Sequence, residues 1–338
     1  MELIGLDRAE LRSLCERLGH SSFRGDQIAD WLYKKGARCV EAMTNIPGPL
    51  RKQLADAVSV PSLEVRERVR AADGTTRFLM GLRDGETIES VLLPYQDRVS
   101  ACVSSQVGCP MGCAFCATAD CGFVRNLLPG EIVDQVLTMQ HECGRRISNV
   151  VFMGMGEPLL NFENVMQSVG ILNSEVGIGM RRMTISTVGI PLMIRRLTAM
   201  DLQLTLAVSL HAPDDALRRR LMPAADRYPI SELMDACREY AVTTRRRITF
   251  EYLLVADLND SPDQARRLAA LLRGILANVN LIPYNQVAGK TFRRPSRVKS
   301  AAFRQILQNE GVEVSQRMER GHSVAAACGQ LKRRRDRL

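Results

Sequence analysis

The hydrophobic rhythm of the chain changes twice. Through residue 60, apolar positions recur three and four apart: Leu11, Leu14 and Leu18 in RAELRSLCERLG, then Ile28, Trp31 and Leu32 in GDQIADWLYKKG. That spacing belongs to one face of a helix. Asp7 stands where an N-cap is needed and Gly19 where the first helix must stop. A third helix, PLRKQLADAV, follows the turn NIPG. Residues 1–60 thus read as a small helical unit. Arg24, Lys34, Lys35, Arg51 and Lys52 suit an accessory domain that binds nucleic acid, though a plain helical cap fits the pattern too.

From about 61 to 100 the period drops to two, in LEVRERVR, TRFLMGLRD and TIESVLLPY. Asp73-Gly74 and Asp84-Gly85 are hairpin turns. A short antiparallel β segment is predicted here, leading into a cysteine-rich loop. Beyond residue 116, helix and strand alternate: GEIVDQVLTMQHEC and SNVVFMGMGEP, NFENVMQSVGILN and MRRMTISTVG, IPLMIRRLTAM and LQLTLAVSLHAP, ISELMDACREYAVTT and RRITFEYLLV, SPDQARRLAALLRGIL and NVNLIPYN. Such alternation builds a parallel sheet covered by helices. With the strand entering the cysteine loop, the count is close to six. The prediction is an α/β core over 101–331 shaped as a partial (β/α)6 barrel, with an open doubly wound sheet as the alternative. A basic tail, 332–338, closes the chain.

Composition narrows the setting. Of 338 residues, 46% are hydrophobic and 25% charged, as in ordinary soluble proteins. No apolar run approaches the roughly 18 residues of a membrane span, and no basic-then-apolar targeting start is present. The expectation is a cytoplasmic protein with no membrane role. The formal charge is +9, with arginines clustered at 145–146, 181–182, 195–196, 218–220, 245–247 and 293–294. Guanidinium forks pair well with phosphates, but arginine-rich solvated helix faces give the same count, so charge alone leaves nucleic acid open. Ten cysteines in a chain long enough to bury a core point to thiol or metal chemistry rather than a disulfide framework.

Three of those cysteines, Cys109, Cys113 and Cys116, fall within CPMGCAFC. Thiolates are the ligands of iron–sulfur clusters. Three of them leave one iron of a [4Fe-4S] cluster open to a small chelating molecule. CxxxCxxC is the spacing of the radical S-adenosylmethionine (SAM) enzymes, in which the SAM amino and carboxylate groups take that iron. A structural zinc site needs four ligands, usually as two spaced pairs, and Cys121 is the nearest fourth. In α/β folds the ligand sits at the carboxyl ends of the strands. Here those ends read Gly154-Met155-Gly156-Glu157-Pro158, Ser186-Thr187, Ser209-Leu210-His211 and Pro283-Tyr284-Asn285. Together they outline a pocket for a polar ligand. Gly156 permits close backbone approach, Glu157 can accept from an ammonium or ribose hydroxyl, and Ser186, Ser209 and Asn285 offer short hydrogen-bonding arms. Taken singly, each is equally a turn or cap residue, and His211 a structural histidine.

The chain closely resembles the RlmN/Cfr family of radical SAM adenosine methylases along nearly its whole length. The matching stretches include FRGDQIADWLY, CVSSQVGCPMGCAFCAT, GFVRNL, VVFMGMGEPLLN, TISTVGI, LAVSLHAP, ITFEYLLV, VNLIPYN and AAACGQL. The resemblance implies a [4Fe-4S] cluster on Cys109, Cys113 and Cys116, and two SAM molecules per turnover. One SAM methylates a cysteine. The second yields a 5′-deoxyadenosyl radical that takes a hydrogen from the S-methyl group; the carbon radical then adds to adenine, linking protein and RNA. By the same resemblance Cys328 carries the methyl, Cys102 resolves the link by forming a disulfide with it, and Glu89 accepts the proton. SAM contacts fall on Gly156, Glu157, Ser186, Ser209, Leu210, His211 and Asn285.

The implied product is 2-methyladenosine in 23S rRNA at the peptidyl-transferase centre, with tRNA as a second substrate and a flavodoxin- or ferredoxin-type electron donor. A monomer is expected. GFVRNL and the helical amino-terminal unit lean toward carbon 2; carbon-8 methylation is the near alternative, and a radical SAM enzyme on a non-RNA substrate or a catalytically silent RNA-binding protein are the more distant ones. Gly321-His322-Ser323-Val324, Ala224-Ala225-Asp226 and the extra thiol Cys121 depart from the family pattern.

Overall fold

The computed structural model describes residues 2–57, 60, 63–316, 321 and 324–332. His322, Ser323 and all but the first residue of the basic tail lie outside the described residues. The amino-terminal unit begins with α1 (Arg8–Arg17). Its cap is a reciprocal box: Asp7 Oδ1 accepts from the Glu10 N–H and Glu10 Oε2 from the Asp7 N–H, both at 2.8 Å. Next come α2 (Phe23–Ala29), which runs into a π turn over Asp30–Lys34, and α3 (Gly48–Ala57).

Gly25 lets α2 cross α1 at contact distance, because a Cβ there would lie 2.4 Å from the Arg12 nitrogen. Backbone cannot swing aside as a side chain can. Gly25→Ala is therefore expected to lower the urea-unfolding stability by about 1–3 kcal/mol, the usual range for overpacking; an unchanged midpoint would show that the helices simply separate.

The unit is tied to the rest of the chain by buried charge. The Arg8 guanidinium reaches Glu175 at 2.9 Å as well as Asp26 and Asp30. Arg38 pairs with the fully buried Asp134, which also accepts from the Leu63 N–H at 2.9 Å. A Gly5–Gly130 contact lets the two backbones touch: a Cβ on Gly130 would meet the Ile4 carbonyl at 2.2 Å.

The remaining chain supplies β1 (Glu64–Arg70), β2 (Thr76–Gly81), β3 (Thr87–Pro94), β4 (Val99–Cys102), β5 (Gln106–Gly108), β6 (Phe123–Asn126), α4 (Pro129–Cys143), β7 (Asn149–Phe152), α5 (Phe162–Ser174), β8 (Met183–Thr187) and α6 (Pro191–Ala199). It continues with β9 (Thr205–Ser209), α7 (Asp215–Leu221), α8 (Ile230–Thr244), β10 (Ile248–Leu254), α9 (Pro262–Leu272), β11 (Ala277–Pro283), α10 (Arg297–Asn309) and β12 (Val314–Gln316). One sheet runs β1-β2-β3-β4-β7-β8-β9-β10-β11-β12, and β5-β6 form a separate hairpin.

From β4 through β12 neighbouring strands are parallel, with helices between most of them. This is the parallel α/β core expected from the alternation of helix and strand. The antiparallel strands β1–β3 are not a sheet apart. Leu92 pairs with Ala101, and Ala101 in turn with Val150, so β4 passes hydrogen bonding from the antiparallel strands to the parallel ones. β2 is buried throughout, whereas β1 alternates between exposed and half-buried residues, as an edge strand should. No helix among the described residues is long and apolar enough to cross a membrane.

Candidate active site

The cysteine loop is folded by the β5-β6 hairpin beneath it. Gly108 has φ +76°, and a Cβ there would stand 1.8 Å from the Gly122 carbonyl. Glycine is thus required for the hairpin to close, after which the Cys109 N–H donates to that carbonyl at 3.0 Å. The Ala114 N–H donates to the Leu221 carbonyl at the end of α7, and the Cys116 N–H to the Cys113 carbonyl. Cys113 and Phe115 pack on an apolar cluster that includes Leu221, Leu253, Ile282 and Tyr284.

Cys109, Cys113 and Cys116 lie close enough to act on one another's charge. Burial pushes the Cys109 thiol up to about 12, against opposing N–H groups from Met111 and Gly156. Burial likewise holds the Cys113 thiol well above its ordinary value. Iron binding there must displace protons. Among the described residues no His, Cys, Asp or Glu group closes around a single metal ion. Cys121 turns its sulfur toward the Ala117 carbonyl at 3.6 Å. Three thiolates with backbone N–H groups aimed at sulfur are a fitting donor set for a cluster.

Beside the loop, the carboxyl ends of β7 through β11 wall a cleft of about 150 Å³. Its lining includes the expected Gly156, Glu157, Ser186, Ser209 and His211. Leu210 and Asn285 do not line it; they neighbour lining residues Ser209, His211 and Tyr284. Leu210 instead gives its N–H to the Glu251 carbonyl. Asn285 Oδ1 is buried with no hydrogen-bond partner, an acceptor left unmet beside the cleft. Gly156, at φ +102°, has no room for a Cβ against Gln106.

Thr187 and Tyr284, at the strand ends read from the sequence, also line this wall, whereas Phe115 and Glu251 were missed as lining residues. Glu251 carried a signal, being an acid within the apolar run of β10, where burial without a partner is costly; its Oε2 accepts from Asn280 at 2.8 Å.

Glu157 is fully enclosed, with Oε1 accepting from the Leu159 N–H at 3.0 Å and Oε2 from the Val188 N–H at 2.8 Å. Desolvation outweighs these donors and raises its carboxyl from 4.5 to about 7. His211 is the reverse case. Its Nδ1 accepts from the Leu253 N–H at 3.1 Å, and burial, with the nearby Arg218 charge, lowers it to about 3. It is therefore neutral, with the proton on Nε2.

Between pH 4.5 and 7 the folded chain keeps a proton on Glu157 that the unfolded chain has released. Stability must fall as pH rises through that window, by about 3 kcal/mol in all. His211 contributes the opposite slope below 6.5. The comparison of Glu157→Gln with the parent isolates the carboxyl. In urea unfolding without cofactor, the variant should gain about 3 kcal/mol relative to the parent between pH 4.5 and 8; a pH-independent difference contradicts the assignment.

The chain's carboxyl-terminal segment closes the site. Cys328 and Gly329 line the cleft. The Gly329 carbonyl accepts from the Ala117 N–H at 2.8 Å and the Leu331 carbonyl from the Thr118 hydroxyl at 2.6 Å. Gln330 Nε2 donates to the Gln286 carbonyl at 2.8 Å. Glu89, with no exposed surface, joins this segment: Oε2 accepts from the Lys332 N–H at 2.9 Å and Oε1 from Arg77 at 3.0 Å. Cys102 is buried on β4 opposite Val91, and Glu89, two residues along β3, shares that face of the sheet. Glu89 is thus brought to the Cys328 segment, while Cys102 lies on the neighbouring strand, on the same face of the sheet. Cys102 and Cys328 are both thiols.

Basic clusters are less free than their count suggests. Arg195, Arg196, Arg219, Arg247 and Arg293 each hold a carboxylate.

Residues 103–269 match the model of the radical SAM superfamily, and residues 1–60 that of the ribosomal RNA large subunit methyltransferase N-terminal domain. A probable dual-specificity RNA methyltransferase RlmN of Thermosynechococcus vestitus is 53% identical over 98% of each chain. The protein of that name from Gloeobacter violaceus is 51% identical over 98% of this chain and 95% of its own. The crystal structure of a radical SAM methyltransferase from Sphaerobacter thermophilus superposes with a TM-score of 0.95 at 46% identity, covering 98% of this chain and 99% of the other. With half its residues shared along almost its entire length, the chain belongs to the RlmN family of radical SAM methyltransferases.

Proposed function

We propose that this protein methylates carbon 2 of an adenosine in 23S rRNA, with tRNA as a second substrate, through a methylated Cys328 and a covalent protein–RNA adduct. It works in the cytoplasm as a monomer, fed by a flavodoxin- or ferredoxin-type electron donor. The observation carrying this reading is the docking of the Cys328 segment onto the cysteine loop, which sets a nucleophilic sulfur in the wall of the cleft. Carbon 2 of adenine is electron-poor and does not attack a sulfonium methyl, so a sulfur must carry the methyl first.

Cys109, Cys113 and Cys116 would hold the [4Fe-4S] cluster, and Gly156, Glu157, Ser186, Ser209, Leu210, His211 and Asn285 a SAM molecule beside it. When bound, these groups supply the radical that takes a hydrogen from the Cys328 methyl. The residues of the chain do the rest. Glu157 and neutral His211, both buried, orient polar groups of the bound molecule. Glu89 receives the adenine proton, with Arg77 holding its carboxylate ready at 3.0 Å. Cys102, as a thiolate, attacks the Cys328 sulfur; the carbon–sulfur bond breaks with its electron pair on the methylene carbon, which takes up a proton to become the methyl group, so the methylated base leaves and the two cysteines end as a disulfide. Two SAM molecules are consumed per methyl delivered.

Mass spectrometry of nucleosides from 23S rRNA and tRNA, treated with enzyme, SAM and a reductant, tests the reading. 2-Methyladenosine is expected. 8-Methyladenosine would move the assignment to the other ring carbon, and neither isomer alongside accumulating 5′-deoxyadenosine would remove adenine as the target.

A further inference from the structure

Arginines 218–220 are consecutive, yet only Arg218 turns inward. It has no exposed surface, while Arg219 and Arg220 face solvent. Its two terminal nitrogens donate to backbone carbonyls, Nη1 to Tyr228 at 2.9 Å and Nη2 to Val188. Its Nε is buried with no partner, and no carboxylate among the described residues closes an ion pair with it. An unpaired cation in the interior is expensive.

Its surroundings explain its retention. Val188, held through its carbonyl by Arg218, gives its N–H to Glu157 at 2.8 Å. A Cβ on the adjacent Gly189 would come within 3.3 Å of the guanidinium. The helix bearing Arg218 ends at Leu221, whose carbonyl takes the Ala114 N–H of the cysteine loop. The Arg218 charge is felt at both Cys113 and His211. One guanidinium thus stands behind the Glu157 corner and the cysteine loop together.

We propose that Arg218 is a positioning residue and a fixed positive charge for the cluster site: its fork sets Val188, and through it Glu157, while its charge favours the reduced cluster. One-electron reduction adds a negative charge to a site already carrying three thiolates. A cation in a low-dielectric wall lowers the energy of that more negative state. The inference rests on the reading of CPMGCAFC as the cluster loop.

Two substitutions separate the parts. Arg218→Lys loses the fork and keeps the charge when assayed at a pH low enough to hold a buried amine protonated; Arg218→Gln loses the charge and keeps a donor. Each protein is reconstituted without oxygen, its cluster titrated by EPR against potential, and its SAM affinity measured with labelled SAM. The neutral variant should hold about tenfold less reduced cluster at a given potential, a shift of about 59 mV downward for one electron, while the lysine variant stays near the parent. SAM should bind about tenfold more weakly to the lysine variant. Should Arg218→Gln fail to fold, Arg218→Met replaces it as the neutral variant. Potentials unchanged in the neutral variant, or shifted equally in both, overturn the inference and leave the site reading standing. A parent protein that takes up no cluster overturns both.

Discussion

Cys328→Ala is expected to abolish methylation while leaving the fold, the cluster and RNA binding in place. The segment that carries Cys328 is held by groups other than its sulfur: the Ala117 N–H, the Thr118 hydroxyl, the Gln330 amide and the Glu89 carboxylate. The side chain is only half-buried and faces the cleft. Removing one sulfur atom should therefore change stability by less than about 1 kcal/mol. In the proposed reaction activity depends on that sulfur entirely, since no direct transfer to an electron-poor ring carbon competes. A fall of at least about a thousandfold is expected, equivalent to about 4 kcal/mol of barrier. Nucleoside mass spectrometry beside an unfolding curve reads both arms. Methylation surviving at even a tenth of the parent rate would assign the methyl to another acceptor.

Cys102→Ala should stop the reaction one step later and leave the product attached. Without a resolving thiol, the carbon–sulfur bond between Cys328 and the base has no partner to break it. The variant should convert about one equivalent of RNA into a protein-linked species that survives a denaturing gel and disappears on nuclease digestion. Cys102 is buried on β4, so its loss leaves a small void of about 1 kcal/mol, too little to unfold the chain. Multiple turnover without an adduct would remove Cys102 from the mechanism.

The sequence made some of this legible for definite reasons. The box formed by Asp7 and Glu10 and the hairpin turns at Gly74 and Gly85, with φ +80° and +84°, follow from local chemistry that tertiary packing does not override. The strand exits were readable because parallel sheets present their ligands there. What stayed hidden is short or weakly patterned. α7 spans seven residues inside a stretch resembling an exit loop. α10 buries only Ser300, Phe303 and Leu307, and β12 is three residues against one neighbour. Arg218 looked like one of three surface charges, because a run of identical residues gives no sign of which one the helix turns inward.

All of these expectations depend on three thiolates leaving one iron available. Protein purified and reconstituted without oxygen should hold about four irons and four sulfides per chain, and its reduced form should give an EPR signal that shifts when SAM is added. Changing Cys109, Cys113 or Cys116 to alanine should remove that signal. A reconstituted protein without the cluster, or one whose signal ignores SAM, contradicts the account.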